Sequence, residues 1–420
     1  MNKVLIETAS LFTSGLRRRD LSQVPFAANV MLAGSFAPTL AGVGQVLQFL
    51  SGLAASVKDV QTKTCDEDDD SICLTWELSI FDQPEPIYVC GLFHITDGLI
   101  TELYLQSLWK SDSHELIQPE EVSFRILTYH HFPLSEAGTI PSLESQCEYL
   151  KKNYNLISLT EAFRRLRAGE CLSSNSLVIT IDDGYRDCYL MAYPIFSSYD
   201  IPVTVFLTTD FLDGKCWLWV DQIRCLFARA RAQNIDIEIA PGKRRCLDLS
   251  SAEKRGQAAN LVKEAAKGIT NAERLQLLAE LPCLLQTDLP DKPPPEYAPL
   301  SWGDIHEMAA HGFDFGAHTK THPILSSISD EALLREEVLG SKTRIEEELD
   351  RQVIHFCYPN GRPEDIGPDA IKVVSSGGFE TALTTIRGLN YAKTDQYQLR
   401  RIAIEPEIPA LALRHYTAVF

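Results

Sequence analysis

Leu177-Val178-Ile179-Thr180-Ile181-Asp182-Asp183-Gly184 is the stretch that most limits what this chain can become. An apolar, β-branched run ends abruptly in two carboxylates and a glycine. The run is too short and too β-branched for a helix, and it predicts a buried strand. Its end predicts a tight turn, with Gly184 free to take backbone angles that a Cβ would forbid. Two carboxylates at the carboxyl end of a buried parallel strand stand where α/β enzymes place their chemistry.

A second stretch supplies partners for them. Phe313-Asp314-Phe315-Gly316-Ala317-His318-Thr319-Lys320-Thr321-His322 reads as another short strand that ends in His318 and is followed by His322. Histidines four positions apart can face one point from a helical turn. Two neutral imidazoles and one carboxylate are a recurrent facial set for a borderline divalent metal, with positions left open for water and substrate.

The rest of the chain sets a frame around these stretches. In a chain of 420 residues, 45% hydrophobic, there is material for two or three domains with real cores. A formal charge of −18 opposes a nucleic-acid partner, which would favour basic patches. The 11 cysteines form no CxxC pair or regular framework and read as reduced, mostly buried thiols. Glu7 interrupts the apolar N-terminus, so no signal peptide is expected; prolines, glycines and glutamines make Leu21–Val57 a poor membrane span. A cytoplasmic location is the resulting expectation.

Residues 1–112 predict a small α+β layer. Val4, Leu5, Phe12 and Leu16 share one helix face, and Gly42 to Val57 supports a second helix. Alternation at Leu74, Trp76, Leu78 and Ile80 predicts a strand, and Asp97-Gly98 predicts a hairpin turn between two more. Cys65–Asp70 reads as an acidic loop, and 113–122 as part of an interdomain linker. From Phe124 onward a strand–helix–strand rhythm predicts a βα barrel with a parallel sheet. Residues 216–299 depart from that rhythm and read as a helical insertion, in which Trp217, Trp219 and Asp221 are candidates to line a groove. Ser158 or Thr160 is the expected cap of one barrel helix, and Ser301 that of the helix Trp302–Ala310.

Four of these stretches, taken in order, resemble the NodB-type polysaccharide deacetylases, carbohydrate esterase family 4. Thr180-Ile181-Asp182-Asp183-Gly184 is similar to the first motif of that family, and His318-Thr319-Lys320-Thr321-His322 to the second. Phe356-Cys357-Tyr358-Pro359-Asn360-Gly361 resembles the third motif in the branch that reads Tyr-Pro-x-Gly. Leu127-Thr128-Tyr129-His130 resembles the leading Tyr-His element of that branch. The likeness spans roughly residues 124–215 and 300–405. Residues 1–112 resemble the nuclear-transport-factor-2-like (SnoaL-like) cone, on Arg17-Arg18-Arg19-Asp20-Leu21, the Gly42 helix and the strand–Asp-Gly–strand ending.

The resemblance implies a distorted (β/α)7 barrel over 123–420, preceded by the cone-like accessory domain. It implies a metal held by Asp183, His318 and His322, zinc first, with cobalt, nickel or manganese as alternatives. Asp182 would be the general base, His130 the acid, and the Asn360 backbone N–H an oxyanion donor beside Tyr358. Many members begin the third motif with an arginine that braces the base; Phe356 stands here instead, and Arg400 or Arg401 is the candidate substitute. The implied substrate is an N-acetylated saccharide, a cytoplasmic lipid- or nucleotide-linked precursor included, and the implied product is acetate. Hydrolysis of another non-peptide amide and a catalytically silent sugar-binding scaffold are the alternatives. A homodimer through the N-terminal domain completes the partner expectations.

Overall fold

The computed structural model describes residues 3–33, 40–67, 71–81, 86–108, 123–132, 139–168, 170, 172–173, 175–240, 242–408, 410 and 413. The chain divides into two compact units, Met1–Ile117 with Ile408–Phe420, and Gln118–Glu407. The sequence reading carries the barrel domain to residue 420, and residues 409, 411–412 and 414–420 lie outside the described residues. The expected linker 113–122 lies outside the described residues.

The first unit is an α+β layer. Helices Lys3–Arg18 and Val43–Ser56 accompany a six-stranded sheet, in which Val57–Glu67, Ser71–Ile80, Ile87–Thr96 and Leu99–Leu108 form an antiparallel meander. Asp97 and Gly98 both have positive φ (52° and 77°), which a two-residue hairpin turn matched to strand twist requires. Leu5, Phe12 and Leu16 face the core, but Val4 is exposed, one position off the apolar stripe. Cys65–Glu67, expected in a loop, instead continue a strand paired with Ile72–Leu74. Gly91 admits the edge of the Trp76 ring to 2.4 Å from where a Cβ would stand, so a side chain there would displace the indole.

The second unit is a closed barrel of seven parallel strands: Ser123–Tyr129, Ser176–Ile181, Val203–Leu207, Asp314–Ala317, His355–Cys357, Thr381–Arg387 and Leu399–Ala403. Each pairs with the next in chain order, and the seventh returns to the first through Ile402↔Leu127 and Ala403↔Thr128. The second strand is buried along its whole length, as its unbroken apolar run requires. Ser158 caps the helix Leu159–Arg167 by accepting from Glu161 N, and Ser301 forms a capping box with Asp304. After Gly184 the chain forms a π-helical turn, Cys188–Ala192, before the helix Tyr193–Ser198, which takes Pro194 in its first turn.

The insertion is less helical than its composition suggests. Between helices Trp219–Ala228 and Ala252–Lys267 stands an antiparallel hairpin, Asn234–Ala240 with Lys243–Asp248. Ile235, Ile237 and Leu247 pack in one core with Val262, Leu281 and Trp219. The stretch between the helices, rich in arginine and aspartate, masked a β alternation that tertiary packing completes. Among the described residues, no helix is long and apolar enough to cross a membrane.

Candidate active site

Parallel register fixes where the site stands. Tyr129 lies opposite Ile181, Ile181 opposite Val205, and Leu207 opposite Ala317. Residues that follow the first, second and fourth strands therefore emerge together at the carboxyl end of the barrel. His130, Asp182, Asp183 and His318 are those residues.

Asp183 Oδ1 lies 3.3 Å from His318 Nε2 and 3.3 Å from His322 Nε2. All three side chains are buried, with ligand atoms within 4.8 Å of one another. His318 Nδ1–H donates to the Cys357 carbonyl at 2.7 Å, and that bond fixes the tautomer that leaves Nε2 as a lone-pair donor toward Asp183. Burial alone would raise the Asp183 pKa, yet the two imidazoles hold it well below the usual carboxylate value. Its Oδ1 is nonetheless a buried oxygen without a conventional hydrogen bond among the described residues. A buried anionic oxygen facing two imidazole nitrogens at 3.3 Å suits a small cation seated among them, so these residues fit a divalent metal.

The histidine spacing does not act through a helix, contrary to the sequence expectation. His318–His322 is an irregular loop in which Thr319 (φ 67°) and His322 (φ 59°) are left-handed. Asp183 (φ 76°) and Asn360 (φ 58°) share that conformation, so four residues of the site are held where L-residues are rarely found. Glu337 holds the loop: its Oε2 accepts from the backbone N–H of Lys320 (3.0 Å) and Thr321 (2.9 Å), and its Oε1 accepts from Thr321 Oγ1 (2.7 Å). Trp219 Nε1 donates to the His322 carbonyl at 3.1 Å. Glu337 was not legible as a site residue, because it lies on the helix Glu331–Leu349 among eight other acidic or basic residues with no motif of its own.

Asp182 points away from this group and into an ion pair. Arg401 Nη1 donates to Asp182 Oδ1 at 2.8 Å, and Nη2 lies 2.7 Å from Oδ2. Arg401 is fully buried in the seventh strand and also donates to Thr384 O (2.7 Å) and Thr128 Oγ1 (3.0 Å). Burial works to raise the Asp182 pKa, but the guanidinium outweighs it and holds the carboxyl below its usual value. Of the two arginines considered from sequence, Arg401 is therefore the brace; Arg400 takes its backbone N–H to Asn390 Oδ1. The barrel's closure between strands one and seven makes this contact across 219 residues of chain.

His130 Nε2 lies 3.6 Å from Asp182 Oδ2 and is 44% exposed, at the lip of the site. His131 turns the other way. Its Nδ1 lies 2.9 Å from Asp187 Oδ2, and its ring stacks on Tyr185 at 3.7 Å between centroids. Tyr185 in turn donates to buried Asp221, which also accepts from Arg224. Asp221 and Trp219 are thus internal supports, contrary to the expectation that they line a groove, while Trp217 is half-buried against Tyr297.

The third expected motif follows the fifth strand. Tyr358 is buried, and its hydroxyl has no hydrogen-bond partner among the described residues. Asn360 turns the chain left-handed, with its carbonyl accepting from Thr385 Oγ1 at 2.6 Å. Its side-chain Nδ2 is buried and has no hydrogen-bond partner among the described residues. Gly361 is required here, since a Cβ would lie 2.8 Å from Thr385 N.

Comparison with known proteins accords with this geometry. Residues 275–382 match the family model described as polysaccharide deacetylase. YxkH of Bacillus subtilis (strain 168), a protein named for that family, is 20% identical over 294 residues, covering 69% of this chain and 75% of that protein. The Streptococcus pyogenes deacetylase PplD, solved in complex with acetate, is 18% identical with a TM-score of 0.47, covering 71% of this chain and 99% of that one. An NTF2-like protein from Cytophaga hutchinsonii is 16% identical with a TM-score of 0.22, covering 25% of this chain and 89% of its own. The family-model match, on a closed parallel seven-stranded barrel with an Asp-Asp and two histidines at its carboxyl end, makes the second unit a polysaccharide deacetylase domain of the NodB type.

Proposed function

We propose that this protein is a metal-dependent N-deacetylase that hydrolyses the acetamido group of an amino-sugar-containing saccharide and releases acetate. The observation that carries the reading is the division of labour between adjacent carboxylates. Asp183 faces two imidazole nitrogens, while Asp182 is turned to a buried arginine.

A divalent ion held by Asp183, His318 and His322 would supply Lewis acidity, polarising the acetyl carbonyl and lowering the pKa of a nearby water. Arg401 keeps Asp182 ionised and fixes its orientation, so that its carboxylate can take a proton from the attacking water. His130, beside Asp182 and open to solvent, is placed to give a proton to the departing sugar nitrogen. The turn at Asn360 offers its backbone N–H to the oxyanion as the carbonyl becomes tetrahedral. Left-handed backbone at Asp183, His322 and Asn360 holds these groups in place before substrate arrives, which reduces reorganisation during the reaction.

The test is acetate release from a panel of N-acetylated saccharides, with the protein stripped of metal and then supplied with zinc, cobalt, nickel or manganese. Release that depends on added metal supports the reading. Equal release from stripped and loaded protein, or none from any saccharide, contradicts it.

A further inference from the structure

The insertion helix Asn271–Leu285 buries Arg274, Leu278, Leu281 and Leu285, which recur at helical spacing along one face. Arg274 therefore occupies a position that the apolar stripe would give to a leucine. It is only 1% exposed, and its hydrogen bonds go to neutral acceptors: Ala266 O (3.2 Å), Asn271 Oδ1 (2.8 Å) and Ser327 Oγ (3.3 Å). Burial draws its pKa down to about 10, which leaves it a cation at neutral pH. A cation buried among neutral groups costs folding free energy that a well-packed apolar side chain would not. What the guanidinium touches gives a reason for that cost.

Its contacts converge on the segment that carries His322. The guanidinium lies over the Trp219 ring, 5.3 Å from the centroid, and the Trp219 Nε1–H donates to the His322 carbonyl at 3.1 Å. Ser327 ends the 3₁₀ turn Leu325–Ser327, which follows the ligand loop. Between these two points Ile324 packs into the insertion's own core with Trp219, Leu278 and Leu281. The insertion thus grips the chain at His322, Ile324 and Ser327.

His322 depends on such a grip more than His318 does. His318 is oriented through its ring, because Nδ1–H donates to the Cys357 carbonyl. The His322 Nδ1 is buried and has no hydrogen-bond partner among the described residues. Its orientation is therefore set through the backbone, which is left-handed there at φ 59°. The His322 N–H is held within the loop by Thr319 Oγ1 (3.0 Å), so the carbonyl is the anchor to the insertion. Resting on the metal-site reading above, we propose that Arg274 and Trp219 are positioning residues for the metal ligand His322. Arg274 fixes the indole and the turn at Ser327, the indole fixes the His322 carbonyl, and the insertion acts as a clamp that sets metal affinity.

Full-length wild type, Trp219→Phe, Arg274→Met and Ser327→Ala are stripped of metal and titrated with zinc against a chromophoric chelator. Trp219→Phe keeps an aromatic ring and loses only the N–H donor. It should weaken zinc binding roughly tenfold, the lower end of what losing an outer partner of a metal ligand costs. Arg274→Met should approach that loss, and Ser327→Ala should show a smaller one. When Trp219→Phe and Arg274→Met are combined, the loss should be less than the product of the single losses, because both act on one carbonyl. Electron paramagnetic resonance of the cobalt-loaded proteins should show a changed ligand field in both single variants, which reduced global stability alone would not produce. Wild-type zinc affinity and an unchanged cobalt spectrum in folded Trp219→Phe and Ser327→Ala would overturn the clamp and leave the metal site standing. Losses that multiply would overturn the route from Arg274 through Trp219. A wild type that binds neither zinc nor cobalt would overturn the metal site and the clamp with it.

Discussion

The two units bury different chemistry. Among the described residues of the first, the buried polar side chains are Thr8, Thr13 and Thr75, set beside an aromatic cluster of Phe12, Trp76 and Phe93. The Trp76 indole N–H donates to Thr13 Oγ1 at 3.0 Å, so its polar atom is satisfied locally. The second unit buries Asp182, Asp183, His318, His322 and Arg401 at one end of its barrel. Burying charge is expensive, and it persists where partners are arranged to meet it. The contrast teaches that the first unit is built as a core, whereas the barrel end gathers buried charged groups as a candidate site would.

The largest expected effect sharpens the contrast within the site itself. Asp182→Asn should lower turnover by roughly 10²–10⁴ while metal content is retained, the usual range for losing a general base. His130→Ala should behave alike, whereas Asp183→Asn should lose metal and activity together. Kinetics paired with elemental analysis separate these outcomes. Loss of metal in Asp182→Asn with retention in Asp183→Asn would exchange the two roles.

Arg401→Met tests whether the buried charges are mutually dependent. It leaves Asp182 buried without its guanidinium and should cost about 3–5 kcal/mol in denaturant unfolding, as breaking a buried pair does. Trp76→Ala should cost about 3–5 kcal/mol through the cavity it leaves. Unlike Arg401→Met, it should leave kcat near wild type in the folded fraction. A Trp76→Ala protein that is folded, metal-loaded and inactive would break the comparison by giving the first unit a part in catalysis.

The smallest effect is a pH dependence. His355 is buried between Thr160 Oγ1 (2.9 Å) and Thr381 Oγ1 (2.7 Å), and burial pushes its pKa down from 6.5 to about 4. Between those values the unfolded chain binds the proton and the folded one does not. This contribution is therefore complete above pH 6.5 and is lost as pH falls toward 4, about 3 kcal/mol in all. Comparing unfolding free energies of wild type and His355→Asn across that window should show a shallower slope in the variant. Equal slopes would contradict the assignment.

Much of the site could be read from the chain because its signals are local. A buried strand must announce itself by an apolar run, so the abrupt Asp182-Asp183-Gly184 ending was visible, as were His318 and His322 after a second strand. Contacts made by barrel closure leave no such mark. Nothing near Arg401 tells that its strand pairs with the first, so choosing it over Arg400 needed the fold. The left-handed loop between the histidines was misread as helical because spacing constrains sequence distance but not φ. Glu337 was invisible for a related reason: it acts on backbone N–H groups, which every residue carries. The insertion hairpin was missed because its alternation is short and rich in arginine and aspartate, where packing rather than propensity decides.

The central claim is that Asp183, His318 and His322 form a metal site. Its most direct test is elemental analysis of the purified full-length protein beside the His318→Ala, His322→Ala double variant, after equilibration with zinc and removal of the excess. The account predicts one zinc ion per chain in wild type and none in the variant. Equal zinc in both proteins would contradict it.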